Sequence, residues 1–217
     1  VSAERVNEVL ETKVRLKDGS KKEGEEHGTL EFKNVSFRYP DAGGDVLKNI
    51  SFTAKRGETV AIIGATGSGK STLVDLIPRF YDATEGEVLI DGVNVKEYRL
   101  SALRKKIGFV AQRAVMFSGS VAENIAYGCD EDEVNAEMVE EAAEVSQAGK
   151  FVNKMEGGYG AQVARGGTNL SGGQKQRLSI ARAVYRDPEI YVFDDSFSAL
   201  DYKTDRVLRT ELRKKAK

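Results

Sequence analysis

Gly64-Ala65-Thr66-Gly67-Ser68-Gly69-Lys70-Ser71 fills every fixed position of the pattern G-x-x-x-x-G-K-[ST]. The apolar run Thr59-Val60-Ala61-Ile62-Ile63 stands directly before it, and residues 71–77 behind it read as a helix. Strand, glycine-rich loop and helix in that order turn backbone amides inward around phosphate oxygens, and the helix N-terminus adds its partial positive charge. In such a loop Lys70 reaches the outer phosphates of a nucleoside triphosphate and Ser71 holds Mg²⁺. Gly64, Ala65, Thr66, Gly67, Ser68 and Gly69 form the cradle, and Thr72 follows in the helix.

A cation held by one hydroxyl also needs a protein carboxylate. Ile190-Tyr191-Val192-Phe193-Asp194 is a second continuous apolar run, ending in an acid suited to that task; taken alone, Asp194 would equally cap a turn. Continuous apolar runs are how buried parallel strands read, so residues 59–63 and 190–193 are expected to form the central sheet. Other segments alternate instead. Residues 30–39 do so with a phase slip between Phe32 and Val35, which calls for two strands or one bulged strand. Ile50, Phe52 and Ala54 alternate again, and Asp91-Gly92 between two short apolar runs signals a hairpin. These pieces predict a small antiparallel sheet. Met138, Ala142 and Val145 mark a helix within 133–147, and Leu178, Ala181, Val184 and Tyr185 mark another that Pro188 stops. A mostly helical insertion over about 101–187 groups them.

With 217 residues the chain is long enough for one substantial α/β unit. Thirty-three basic against 34 acidic side chains leave a formal charge of −1, a balance that argues against nucleic acid or an anionic membrane surface as partner. The single cysteine, Cys129, forms no disulfide within the chain and fits a reducing compartment. The longest apolar runs fall far short of the ~20 residues a membrane helix needs, and residues 1–15 are charged throughout, unlike a signal peptide. Val6, Val9 and Leu10 recur at helical spacing near the start. Residues 18–28, DGSKKEGEEHG, have the composition of a flexible linker, so the domain proper is expected to begin near Thr29.

Leu170-Ser171-Gly172-Gly173-Gln174, followed by Lys175-Gln176-Arg177, resembles the signature of ATP-binding cassette (ABC) proteins, which kinases and GTPases lack. The resemblance covers nearly the whole chain. It implies an α/β fold with a P-loop NTPase core of the ABC type, an antiparallel β-subdomain and a helical insertion, with ATP and Mg²⁺ as ligands. It further implies that Tyr39 stacks on adenine, that Gln112 contacts Mg²⁺ and the attacking water, that Asp194 binds the metal and that Asp195 acts as base. Ser171, Gly172, Gly173 and Gln174 would act on the ATP of a second cassette domain closing head to tail, and Asp201, in Ser198-Ala199-Leu200-Asp201, would lie in the loop that reaches across that dimer. Residues 116–125, MFSGSVAENI, look like those of exporters. Residues 1–28 then resemble the connector from a preceding membrane domain, and 29–217 the nucleotide-binding domain at the cytoplasmic face of a membrane.

The sequence departs from the family pattern at three places. Asp195 stands where the family carries Glu, which leaves its intrinsic acidity within about 0.4 pKa units but sets the carboxylate one methylene back. Arg165 stands where exporters usually carry a Glu that faces the membrane helices. After a helix expected over 201–215, the further strands and the switch histidine of family members are missing, and the one histidine, His27, lies in the linker. With Asp195 in place of that Glu, the chain resembles the weak-base half of a heterodimeric exporter.

Overall fold

The computed structural model describes residues 2–11, 16–129 and 134–215. In chain order its elements are α1 (Ser2–Leu10), β1 (Leu30–Phe37), β2 (Leu47–Ala54), α2 (Lys70–Asp75), β3 (Glu85–Ile90), β4 (Val93–Asn94), α3 (Leu100–Lys105), β5 (Ile107–Val110), β6 (Gly119–Ser120), α4 (Val121–Ala126), α5 (Ala136–Val145), α6 (Gly149–Val152), β7 (Gln162–Val163), α7 (Gly172–Tyr185), β8 (Ile190–Phe193) and α8 (Tyr202–Lys215). Val1, residues 12–15 and the expected helix start at Glu133 lie outside the described residues.

Antiparallel strands in the order β2-β1-β3-β4 make the first sheet. The phase slip seen in the sequence is a bulge in one strand: β1 pairs with β2 up to Phe32 and resumes at Val35, and with β3 up to Lys33, resuming at Ser36. Asp91 (φ 52°) and Gly92 (φ 74°) take the two left-handed positions of the β3–β4 hairpin, where a short acid and a glycine are tolerated best. One face of this sheet buries Phe32, Val35 and Ile90 against Leu76 of the segment after α2, Tyr98 and Leu103 of α3.

A second core lies among the helices, where Leu178 and Ile180 of α7 pack with Val121 and Ile125 of α4, Ala143 of α5 and Leu208 of α8. Between the two cores runs the parallel pair β5–β8, from Ile107 opposite Ile190 to Val110 opposite Phe193. Ile107 and Val192 face the sheet core, and Val110 faces the helical core. Burial on both faces is why residues 190–193 are apolar without alternation.

Three expectations need correction. Residues 59–63 form no strand, and Val60, Ile62 and Ile63 are exposed, Ile63 at 93 %. A parallel strand requires a hydrogen-bonding neighbour, and among the described residues β8 is paired only with β5. Because β5 belongs to that central pair, the helical part begins after Val110 rather than near Ser101. Finally, residues 18–28 do not hang free. Gly19 N donates to Tyr98 O, Ser20 N and Lys21 N donate to Glu97 O, and Arg99 N donates back to Lys21 O. The Asp18 carboxylate accepts from Leu100 N at the start of α3. Glycine at 19 and 24 is what permits this: a Cβ at Gly19 would meet Glu97 O at 2.2 Å, and one at Gly24 would meet Asp91 O at 2.4 Å. Glycine content that reads as flexibility here serves close approach.

Candidate functional site

The phosphate loop is fully built around its glycines. Gly69, at φ 89°, stands immediately before α2, and a Cβ there would come within 3.0 Å of Leu47 and 3.1 Å of Val46. Only glycine meets both demands. Lys70 Nζ folds back over the loop and donates to Gly64 O and Ala65 O, each at 2.8 Å, so its ammonium is held at the loop mouth. Residues 64–68 are exposed and accessible to an anion.

At the second residue of α2 the loop meets the end of β8. Ser71 Oγ donates to Asp194 Oδ1 at 3.0 Å, across 123 residues. Two ligands at about 2.1 Å on adjacent corners of an octahedral ion stand roughly 3 Å apart, so this hydroxyl and carboxylate fit Mg²⁺ as they lie. Gln112, just beyond β5, donates through Nε2 to Asp195 Oδ2 at 3.3 Å. Asp195 itself has a left-handed backbone, φ 47°. That conformation is strained for most side chains and commonest for Asp and Asn, which accords with Asp in place of the family's Glu.

Tyr39 follows β1, half-buried, edge-on to Phe37 and Tyr81 with ring centroids 4.8 and 5.2 Å away. Its hydroxyl shares a hydrogen bond with Thr72 Oγ1 at 3.0 Å, which places the ring beside the phosphate loop.

The signature caps α7. Gln174 N donates to Ser171 Oγ at 3.3 Å, and Ser171 N donates to Gln174 Oε1 at 2.8 Å, a reciprocal capping box. Ser171 Oγ is the acceptor in this bond, which leaves its proton available. Ser171 and Gly172 are exposed, and a Cβ at Gly172 would touch nothing within 4 Å. Gly173 lies against the following loop, where a Cβ would sit 3.1 Å from Ala199 O. Asp201, in that loop, caps α8: Thr204 N donates to Oδ1 at 3.0 Å and Thr204 Oγ1 to Oδ2 at 2.6 Å. These bonds hold its pKa below the ordinary carboxylate value. The fold thus gathers Lys70, Ser71, Thr72, Tyr39, Gln112, Asp194 and Asp195 into one group. The signature and Asp201 form a separate, outward-facing group.

Sequence reasoning missed two features beside these groups. Asp75 lies one turn after Ser71 on α2, and burial, together with the charge of Asp194, pushes its carboxyl above the ordinary value. The i, i+4 spacing was its signal. Asn124 on α4 is 1 % exposed and knots the segment after Gln112: Phe117 N donates to its Oδ1, its Nδ2 donates to Phe117 O and Ser120 O, and Arg182 Nε donates to its carbonyl at 2.8 Å. Arg182 also lies over Phe117 and Tyr127, which stack at 4.0 Å and stay partly exposed. No single-residue pattern announces such a knot.

Comparison with known proteins shows the family. Residues 47–198 match the family model described as ABC transporter. The chain is 49 % identical, over 98 % of its length, to an uncharacterized ABC transporter ATP-binding protein of Mycobacterium tuberculosis, covering 37 % of that protein. It is 42 % identical, over 97 % of its length, to the ATP-dependent lipid A-core flippase of Pseudomonas aeruginosa, covering 35 % of it. A solved bacterial Atm1-family ABC exporter with ATP bound superposes with a TM-score of 0.90 at 33 % identity, over 99 % of this chain and 37 % of that one. The chain thus spans little more than a third of the length of these relatives. With residues 47–198 matching the family model and nearly the whole chain aligning with these relatives on a shared fold, the chain belongs to the ABC transporter family, as an ATP-binding domain of it.

Proposed function

We propose that this chain is the motor domain of an exporter at the cytoplasmic face of a membrane, and that it forms the slow-hydrolysing half of a heterodimer. ATP lies on residues 64–72 with its base against Tyr39, and Mg²⁺ is held by Ser71 and Asp194, with Gln112 at the attacking water. The metal supplies charge neutralisation on the outer phosphates. The observation that carries the reading is the Gln112–Asp195 hydrogen bond beside the Ser71–Asp194 pair. A short carboxylate, tied to a neighbour, makes Asp195 a poorly placed base, and a misplacement of about 1 Å costs on the order of a hundredfold.

Ser171, Gly172, Gly173 and Gln174 serve the ATP of a second, different cassette domain, and Asp201 lies at that same interface. The outward-facing, proton-bearing Ser171 hydroxyl supports this role. The exposed Phe117 and Tyr127, backed by Arg182, suit a transmembrane partner's contact. Residues 1–28 are the connector to that membrane domain, and nucleic acid is not a partner.

The test is steady-state ATPase of the assembled two-chain transporter, with assembly confirmed and Lys70→Ala as the control for this chain's own site. Ser171→Ala should impair turnover by about 10² to 10³, the value of one such donor, and Asp195→Asn far less. If Asp195→Asn silences turnover while Ser171→Ala spares it, this chain holds the fast site and the reading is wrong. Complete absence of ADP release from this chain's site would make it a regulatory, ATP-occupied subunit instead.

A further inference from the structure

The group Lys106, Asp91, Glu189 and His27 lies outside the nucleotide site, yet it sits at the base of the strands that build it. Lys106 directly precedes β5, and Glu189 directly precedes β8. Its ammonium bridges Asp91 Oδ2 at 2.9 Å and Glu189 Oε1 at 2.7 Å. Asp91 is 0 % exposed and the Lys106 side chain 8 %. Burial works against the charged ammonium, but the hydrogen bonds to Glu189 and Asp91 outweigh it and hold the lysine pKa above its ordinary value. His27, Asp91 and Glu189 do place ligand atoms within 4.8 Å of one another. The ammonium, however, already joins both carboxylates, so this is an ion-pair node and not a metal centre.

We infer that Lys106 is a positioning residue: by bridging Asp91 and Glu189 it fixes the near end of the β5–β8 ladder, whose far end carries Gln112, Asp194 and Asp195, and it ties segment 18–28 to the same point. The inference rests on the reading of Gln112 and Asp195 as groups at the reacting phosphate. The ladder begins with Ile190 N donating to Lys106 O and ends with Asp194 N donating to Val110 O, both at 3.0 Å. Four residues a strand span about 13 Å, and two strands alone make a marginal sheet. Their register therefore needs outside support. A buried ion pair adds little net stability over apolar packing, but the Lys106–Asp91 pair opposes any shift that separates it, because both partners would be left buried with that bond unmade, while the more exposed Glu189 extends the bridge to β8.

Segment 18–28 and its continuation reach the node at three points. Thr29 N donates to Asp91 Oδ1 at 3.0 Å, Gly24 packs directly on the Asp91 backbone, and His27 Nδ1 stands 3.7 Å from Glu189 Oε2. The node thus joins the segment that follows α1 to the strands under the nucleotide site.

The experiment compares Lys106→Met, Lys106→Arg and Glu189→Gln in the assembled transporter with the partner's site disabled, reading ATP hydrolysis at this chain's own site and amide hydrogen exchange. Lys106→Met and Glu189→Gln should each lower kcat about tenfold with KM for ATP unchanged, as a sub-ångström displacement of reacting groups does. Both should speed exchange at Thr29 and Ile190. Lys106→Arg, which can still bridge two carboxylates, should restore both readouts to near wild type. Where Lys106→Met fails to fold, Glu189→Gln decides, since Asp91 keeps its partner. Wild-type kcat and wild-type exchange in Glu189→Gln, or an Arg variant as impaired as the Met variant, would overturn the inference. If Gln112→Ala and Asp195→Asn leave hydrolysis at this chain's own site intact, the reading of those two residues fails instead, and the exchange data still judge the node.

Discussion

Gln112 Nε2 and Asp195 Oδ2 meet at 3.3 Å although 83 residues separate them in sequence. Each stands just past the end of one strand of the central parallel pair, so the strand register brings them together. Asp195 occupies a left-handed backbone position that tolerates Asp better than a longer side chain. Asp195→Glu is therefore expected to extend the carboxylate towards the attacking water at some cost in stability. Turnover at this chain's own site should rise by about tenfold or more, while the midpoint of thermal unfolding falls. Single-turnover hydrolysis in the assembled transporter, with the partner's site disabled, measures the first; a melting curve measures the second.

The Tyr39 hydroxyl bonds to Thr72, and its ring contacts Phe37 and Tyr81. Tyr39→Phe removes one hydrogen bond, about 1 kcal/mol, and should weaken ATP binding at most about fivefold. Tyr39→Ala removes the π-face itself and should cost roughly 1–3 kcal/mol. Calorimetric titration with ATP checks the order; the reverse order would detach Tyr39 from the base.

Asn124 holds the 115–120 segment through bonds to Phe117 and Ser120 and receives Arg182. Asn124→Ala leaves several buried partners unsatisfied and should destabilise the domain by roughly 2–4 kcal/mol. Chemical denaturation measures it. A loss near zero would mean water replaces every bond of the knot.

Asp75 has its pKa raised from 3.8, first by burial and then by Asp194. Its ionised form is disfavoured in the folded state, so its contribution is most favourable below pH 3.8 and is lost as pH rises through the raised folded value. Asp75→Asn should therefore be more stable than wild type at neutral pH, with the gap closing as pH falls through that window. Urea midpoints from pH 3.5 to 8, without nucleotide or Mg²⁺, test the sign. A gap that widens on acidification would contradict it.

The local geometry of the candidate site is legible in the sequence wherever it is written in contiguous residues. The phosphate loop from Gly64 to Ser71 and the signature from Leu170 to Gln174 are local structures: glycines set the backbone, and a hydroxyl or ammonium lies within reach of its own loop. The bulge in β1 and the Asp91-Gly92 hairpin were equally local, because a period-2 pattern shows its slips and turns directly. What only the tertiary structure decided depends on strand neighbours and on burial. The apolar run 59–63 promised a central strand but forms none, since hydrophobic pattern says nothing about which edge is free to pair. Gly19 and Gly24 read as flexibility and serve close packing, because a glycine's meaning depends on what lies against it. Lys106, Asp91 and Glu189 each look like an ordinary surface charge in the sequence. The fold alone brings the three together and takes Lys106 and Asp91 out of water, where the loss of hydration makes these two depend on each other.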